Sequence, residues 1–359
     1  MDPLTRIDAV ASALSALNLE AMIVSNPSNI RYLTGFSGSN GTLLIIDAEA
    51  TLFTDNRYAE RAREELDAAR SAVQLVIAPD VARPQVVERL RGVAKVGIEA
   101  DHVTWSGAKV MFADLGESRV VATNGLIESL REVKDDTELE LLRRAASIAD
   151  AALSEFLADF GPGETERDVA RRLDHLILDG GADGSAFETI VASGPNSSRP
   201  HHQATNRQLA TGDLVIIDLG AQYHGYRSDM TRSFVLGEPT ERQRDLLDGV
   251  RSSQQAGIDA ISAGVLASNI DGVCRSHLHE SGLGEWFTHG TGHGVGLDIH
   301  EAPSVSAKGT ATLAPGHVIT VEPGAYIPGF GGVRWEDTVV VTALGSEPLT
   351  RSAKQPVVN

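Results

Sequence analysis

Residues 289–301 read HGTGHGVGLDIHE, with histidine at 289, 293 and 300 and glycine at 290, 292, 294 and 296. Histidines four apart on a helix would face one metal ion, but the four glycines would cost such a helix about 4 kcal/mol relative to alanine. An extended segment costs less, and glycine within it admits a second backbone or a ligand at close range. At ~3.3 Å per residue, His289 and His293 then stand ~13 Å apart on one face. At most one of them binds a given ion.

Carboxylates recur in a matching pattern. TGDLVIIDLG (211–220) and PGHVITVEPG (315–324) align without a gap and set Asp218 on Glu322, each at the exit of an apolar strand. A second acid follows in each copy, with threonine two residues on: Asp229-Met230-Thr231 and Glu336-Asp337-Thr338. The spacing from first acid to second is 11 residues in one copy and 14 in the other. The echo reads as two related half-domains, each supplying one pair of carboxylates.

A hairpin turn at His224-Gly225 fits the first copy. It pairs residues whose numbers sum to 449, with Thr231 opposite Asp218 and Gly220 opposite Asp229. The two aspartates become diagonal neighbours on one face, their Cα atoms about 7–8 Å apart. Four converging carboxylates repel by ~4 kcal/mol for each pair ~4 Å apart at an effective dielectric of 20. Two divalent cations cancel those charges, and ions ~3.5–4 Å apart form a hydrolytic arrangement.

The elements that must carry these groups follow from periodicity. AMIV (21–24), TLLII (42–46), VQLVIA (73–78), KVGIEA (95–100) and RVVAT (119–123) read as strands, with helical patterns at 57–66 and 84–93 between them. This predicts an α/β domain over residues 1–125 and a second domain over 126–359. GFSGSNG (35–41) matches no phosphate-binding fingerprint and reads as a turn. A long helix opens the second domain, with Thr137 and Glu140 as a capping box and Leu139, Leu142, Ala146, Ala149, Leu153 and Phe156 at helical spacing. GPGET (161–165) precedes another amphipathic helix over 166–178, and strands, glycines and histidines dominate from residue 185.

Composition bounds the partners. Of 359 residues, 42% are hydrophobic and 22% charged, ordinary for a soluble globular chain. The 31 basic and 49 acidic residues give a net charge of −18, which argues against nucleic acid and anionic membranes as partners. MDPLTRIDAVASAL carries no signal-peptide core, and no apolar run approaches ~18 residues. Cys274 is the only cysteine, so no intrachain disulfide forms, and a reducing cytoplasm is the expected compartment.

At all thirteen positions, HGTGHGVGLDIHE resembles the signature of the proline peptidases with the pita-bread fold, the group of Xaa-Pro aminopeptidase and Xaa-Pro dipeptidase (prolidase). FETIVASGPNSSRPHH (187–202), VIIDLGAQYHGYRSDMTRSF (215–234), TVEPG (320–324) and GVRWED (332–337) resemble its remaining motifs, in order. NPSNIRYLTGFSG (26–38) and TDNRY (54–58) are similar to its auxiliary domain. The resemblance implies an α/β (α+β) chain: an N-terminal creatinase-like α/β domain, then a C-terminal pita-bread catalytic domain with two pseudo-symmetric halves.

The resemblance also implies roles. Asp218, Asp229, His293, Glu322 and Glu336 become the ligands of two divalent metal ions. The family favours Mn²⁺ or Co²⁺, and the donor set also suits Zn²⁺ or Fe²⁺. Glu322, His201 and His300 fall in catalysis, with His289 and Arg334 beside the substrate. Only one of the adjacent His201 and His202 can point inward, and His201 is assigned. His224 stays a turn residue and His317 a strand-edge one. The implied reaction is metal-assisted hydrolysis by an Xaa-Pro aminopeptidase acting on short peptides with proline second. Its nearest rival is an Xaa-Pro dipeptidase, and a creatinase-like non-peptidase comes further behind because all five ligands are present. The family also implies a homodimer.

Overall fold

Alternating apolar segments build one six-stranded sheet in the first of two units, Met1–Arg131, with Glu132–Asn359 as the second. The computed structural model describes residues 3–78 and 82–358.

In chain order the first unit holds α1 (Pro3–Ala16), β1 (Ala21–Val24), α2 (Pro27–Thr34), β2 (Thr42–Ile46), β3 (Glu49–Thr54), α3 (Ala59–Ala68), β4 (Gln74–Ile77), α4 (Arg83–Arg89), β5 (Val96–Glu99), α5 (Trp105–Leu115), β6 (Val120–Thr123) and α6 (Glu128–Arg131). The sheet order is β4-β3-β2-β1-β5-β6, with β2 antiparallel to both neighbours and the other pairs parallel. Strand β3 escapes the sequence pattern because its first residues, Glu49 and Ala50, favour helix. A tight turn with Asp47 at φ 53° folds it back onto β2. The unit ends six residues beyond the expected boundary at 125. Buried Asn29 donates to Glu99 (2.8 Å) and Glu128 (2.6 Å) and accepts from Arg131 (2.8 Å), which ties α6 to this sheet.

The second unit opens with α7 (Asp136–Leu157) and α8 (Glu166–Asp179). The capping box of α7 is Asp135 with Glu138, two residues before the expected Thr137 and Glu140. KDDTELE contains both patterns, and the helix starts at the earlier one. There follow β7 (Gly184–Ser185), β8 (Ile190–Ser193), β9 (Leu214–Leu219), β10 (Ala221–Tyr223), β11 (Tyr226–Arg227), β12 (Met230–Leu236), α9 (Glu241–Asp259) and α10 (Ala267–Glu280). The chain closes with β13 (Gly292–Gly294), β14 (Glu301–Val305), β15 (Val318–Val321), β16 (Gly324–Ile327), β17 (Gly331–Arg334), β18 (Asp337–Val341), β19 (Ser346–Pro348) and β20 (Val357–Val358).

Two sheets dominate this unit, β20-β12-β9-β8 and β14-β13-β15-β18-β19. The apolar faces of α7 and α8 pack on the first through Leu153, Phe156, Val169, Leu173, Val215 and Phe234. Helix α10 packs on the second through Ile270, Cys274, Ile319 and Val321. Every residue of β9, β12, β15 and β18 is buried, so these strands are covered on both faces. No helix among the described residues is long and apolar enough to cross a membrane.

Candidate metal centre

Two long hairpins carry the acids. In the first, Asp218 pairs with Thr231 and Gln222 with Arg227, so the 449 register holds from end to end. His224 (φ 46°) and Gly225 (φ 82°) form the turn, both in the left-handed region that a two-residue I′ turn demands. A Cβ on Gly220 would overlap the carbonyl oxygen of Ser228, so glycine there lets the strands close beside Asp218 and Asp229. In the second hairpin, Val321 pairs with Asp337 and Gly324 with Arg334, which sets Glu322 across from Glu336.

The threonines interlock the halves. Thr231 donates to Glu336 Oε2 at 2.6 Å, while Thr338 donates to the backbone oxygen of Asp229 at 2.8 Å. Each threonine thus serves the second acid of the other hairpin. Arg334 threads between them, donating from Nε to Thr231 (2.9 Å), from Nη1 to Tyr326 (2.9 Å) and from Nη2 to Asp218 (2.6 Å).

His293 completes the cluster. Its Nδ1 lies 2.9 Å from its neighbour's carbonyl, Gly294 O, which leaves Nε2 as the free donor of an electron pair. Nε2 stands 3.5 Å from Asp229 Oδ2 and 3.4 Å from Glu322 Oε1. Donor atoms sharing one ion at ~2.1 Å are about 3–3.5 Å apart, so these separations suit co-ligands. One donor atom each from Asp229, His293 and Glu336 all lie within 4.8 Å of one another. Asp218 Oδ1 is buried without a hydrogen-bond partner among the described residues, as expected of an atom facing a cation.

Electrostatics point the same way. Burial, then repulsion from Glu336, Asp218 and Glu322, holds Asp229 well above the usual carboxylate range. Burial, then Glu322 and Asp218, does the same to Glu336. Burial pushes Glu322 up to about 8 against the opposing pull of Arg334, and burial also raises Asp218. Without cations these acids resist ionising together; with two M²⁺ they do not. The residues fit a dinuclear centre.

The glycines of the histidine stretch explain themselves by space. None of the four has φ in the left-handed region. A Cβ on Gly292 would meet the Thr320 carbonyl, on Gly294 the Ala302 carbonyl, on Gly296 the Glu301 carboxylate, and on Gly290 Ser306 at 3.1 Å. Strand β13 is thereby pressed between β14 and β15, and His293 is held against the acids.

A cavity of ≈ 570 Å³ opens over the cluster, bordered by His201, His289, His293, His300, Glu322 and Arg334 among others. His300 stacks edge-on against His293, with ring centroids 4.3 Å apart. His289 has both nitrogens engaged, Nδ1 with Gly290 O (2.8 Å) and Nε2 with Tyr326 Oη (3.0 Å). Burial keeps His289 and His293 down at about 4, so both rings are neutral near pH 7. His201 and His202 both border the cavity, but His201 is exposed whereas His202 is buried and bonds to Glu166 at 2.9 Å. His317 is buried and faces Glu132 at 3.9 Å. Tyr326, bonded to both His289 and Arg334, and Glu166, bonded to His202 beside the site, were not visible in the sequence. The alternation of Tyr326 with Gly324 along β16 is the only local hint of the first.

Residues 140–343 match the model of Metallopeptidase family M24, and residues 6–133 that of the Creatinase/Prolidase N-terminal domain. The chain belongs to metallopeptidase family M24. An Xaa-Pro dipeptidase of Pyrococcus furiosus is 34% identical, over 98% of this chain and 99% of that one. An Xaa-Pro dipeptidase from Bacillus anthracis superposes with a TM-score of 0.95 at 36% identity, over 99% of this chain and 100% of that one. An X-Pro aminopeptidase from Thermotoga maritima gives 0.88 at 30% identity, over 97% and 100%. This M24 chain therefore has the creatinase-type α/β domain followed by the pita-bread catalytic domain, as its motifs implied.

Proposed function

We propose that this M24 metallopeptidase hydrolyses the bond preceding proline in short peptides, with Xaa-Pro dipeptides as its first substrates. The convergence of Asp229, His293 and Glu336 within 4.8 Å, under a cavity edged by four further histidines, carries this reading. Asp218, Asp229, His293, Glu322 and Glu336 hold two divalent ions. Such ions supply Lewis acidity to a water and to the scissile carbonyl.

The chain's own groups do the rest. Glu322, steadied by Thr320 at 3.3 Å, accepts the proton of the attacking water. His201 and His300 hold the substrate carbonyl and the departing proline nitrogen from the cavity wall. His289, Tyr326 and Arg334 form a hydrogen-bonded file that keeps Asp218 in place.

Dipeptides come first because the relatives named Xaa-Pro dipeptidase stand at the higher identities. One observation favours an Xaa-Pro aminopeptidase instead. Arg334 is the only arginine or lysine among the described residues lining the cavity, and its guanidinium is already committed. A dipeptide brings a terminal carboxylate next to the scissile bond, whereas a longer peptide brings a neutral amide.

Rates on Xaa-Pro and Xaa-Pro-Yaa peptides, measured with Mn²⁺ and again after chelation, test both readings. Cleavage of the dipeptide alone supports the dipeptidase, and preference for the longer peptide supports the aminopeptidase. Cleavage of neither, or activity indifferent to chelator, sinks the proposal.

A further inference from the structure

Glu166, the first residue of α8, is fully buried, yet it belongs neither to the acid cluster nor to the cavity. Its two oxygens accept from six donors. Oε1 takes Ser193 N (2.8 Å), Ser193 Oγ (2.7 Å) and Asn196 Nδ2 (3.0 Å). Oε2 takes Thr205 N (3.0 Å), Thr205 Oγ1 (2.6 Å) and His202 Nε2 (2.9 Å). Residues 193–205 are thus drawn into a ring around one carboxylate. Burial works against the charge, but the bonds from Thr205, Asn196, His202 and Ser193 outweigh it and hold the acid down at about 2.

This ring contains His201. Its ring makes no hydrogen bond within the described chain, but both flanking residues are tethered. Pro200 O accepts from Arg334 Nη1 at 3.2 Å, and His202 is fixed by Glu166. Arg334 in turn is bonded to Asp218. His201 is therefore suspended between a point on the acid cluster and a buried anchor outside it, its ring exposed on the cavity wall.

We propose that the Glu166–His202 pair is a positioning clamp that aims His201 into the cavity. The clamp rests on the reading that His201 contacts the substrate. A structural hydrogen-bonded pair far from any site would need neither the adjacent histidine nor the second tether on Pro200. A displacement of about 1 Å in a reacting group costs up to about 100-fold in rate.

The test uses the full-length enzyme with Mn²⁺ and an Xaa-Pro peptide, comparing His202→Ala and His202→Gln in wild-type and His201→Ala backgrounds. His202→Ala is expected to lower kcat about 10- to 100-fold with KM moved less than about 3-fold. His202→Gln, which keeps an N–H donor, restores most of the loss. In the His201→Ala background, His202→Ala lowers kcat no further, although it lowers Tm as much as before. A kcat loss of equal size in both backgrounds, or none in either, overturns the clamp. Carbethoxylation of His201 by diethyl pyrocarbonate, followed by peptide mapping, needs no substrate and separates the two readings. If proline peptides are not cleaved but His202→Ala changes that rate several-fold, the clamp stands and the substrate reading falls. An unchanged rate removes the clamp.

Discussion

Thr231 and Glu336 lie 105 residues apart in sequence, and the hydroxyl of one donates to Oε2 of the other at 2.6 Å. The same hydroxyl accepts from Arg334 Nε at 2.9 Å, so one buried oxygen orients an acid and a guanidinium together. Groups that orient metal ligands in this way matter nearly as much as the ligands.

Thr231→Val keeps the shape and removes the hydroxyl. Mn²⁺ affinity should fall about 10- to 100-fold, read by titration calorimetry on protein stripped of metal, while Thr231→Ser stays near wild type. Unchanged affinity in the valine variant would mean that Glu336 needs no orienting partner.

Glu322→Ala should lower turnover of a proline peptide about 10²- to 10⁴-fold while circular dichroism still reports a folded chain. A variant that stays folded and keeps its kcat would remove Glu322 from proton transfer.

The Glu166 carboxyl has its folded pKa, about 2, below the ordinary 4.5. Its contribution is therefore complete above pH 4.5 and declines as pH falls toward 2. Urea midpoints of wild type and Glu166→Gln should differ most near pH 7 and converge progressively below pH 4.5. A gap that is constant with pH would show that the variant acts by shape alone.

Gly292→Ala places a methyl on the Thr320 carbonyl and should destabilise the protein by about 1–3 kcal/mol. Gly272, in the middle of α10, has nothing within 4 Å of an added Cβ, so Gly272→Ala should stabilise by about 0.4–1 kcal/mol. Thermal melts of the pair check both signs, and equal shifts would refute the spatial reading of the histidine-strand glycines.

Much of the site was legible from local chemistry. The His224-Gly225 turn sets the pairing of its hairpin, because a two-residue turn and a two-residue side-chain period leave no freedom of register. The glycines excluded a helix, and with it joint coordination by His289 and His293, because backbone preference acts residue by residue. Overlapping local signals were less decisive: Asp135–Glu138 and Thr137–Glu140 are both capping boxes on paper, and the helix forms the first. The same holds at residues 126–131, where Asn29 reaches α6 from about a hundred residues away.

What only the tertiary structure decided is how distant pieces complete each other. Two matching hairpins are visible in sequence, but not that Thr231 serves Glu336 while Thr338 serves Asp229. Of the twin histidines, sequence places both at one point in the chain. Both border the cavity, but Glu166, 36 residues earlier, holds His202 buried and leaves the exposed His201 untied. A buried charge must find its donors wherever the fold brings them, and periodicity carries no record of that meeting.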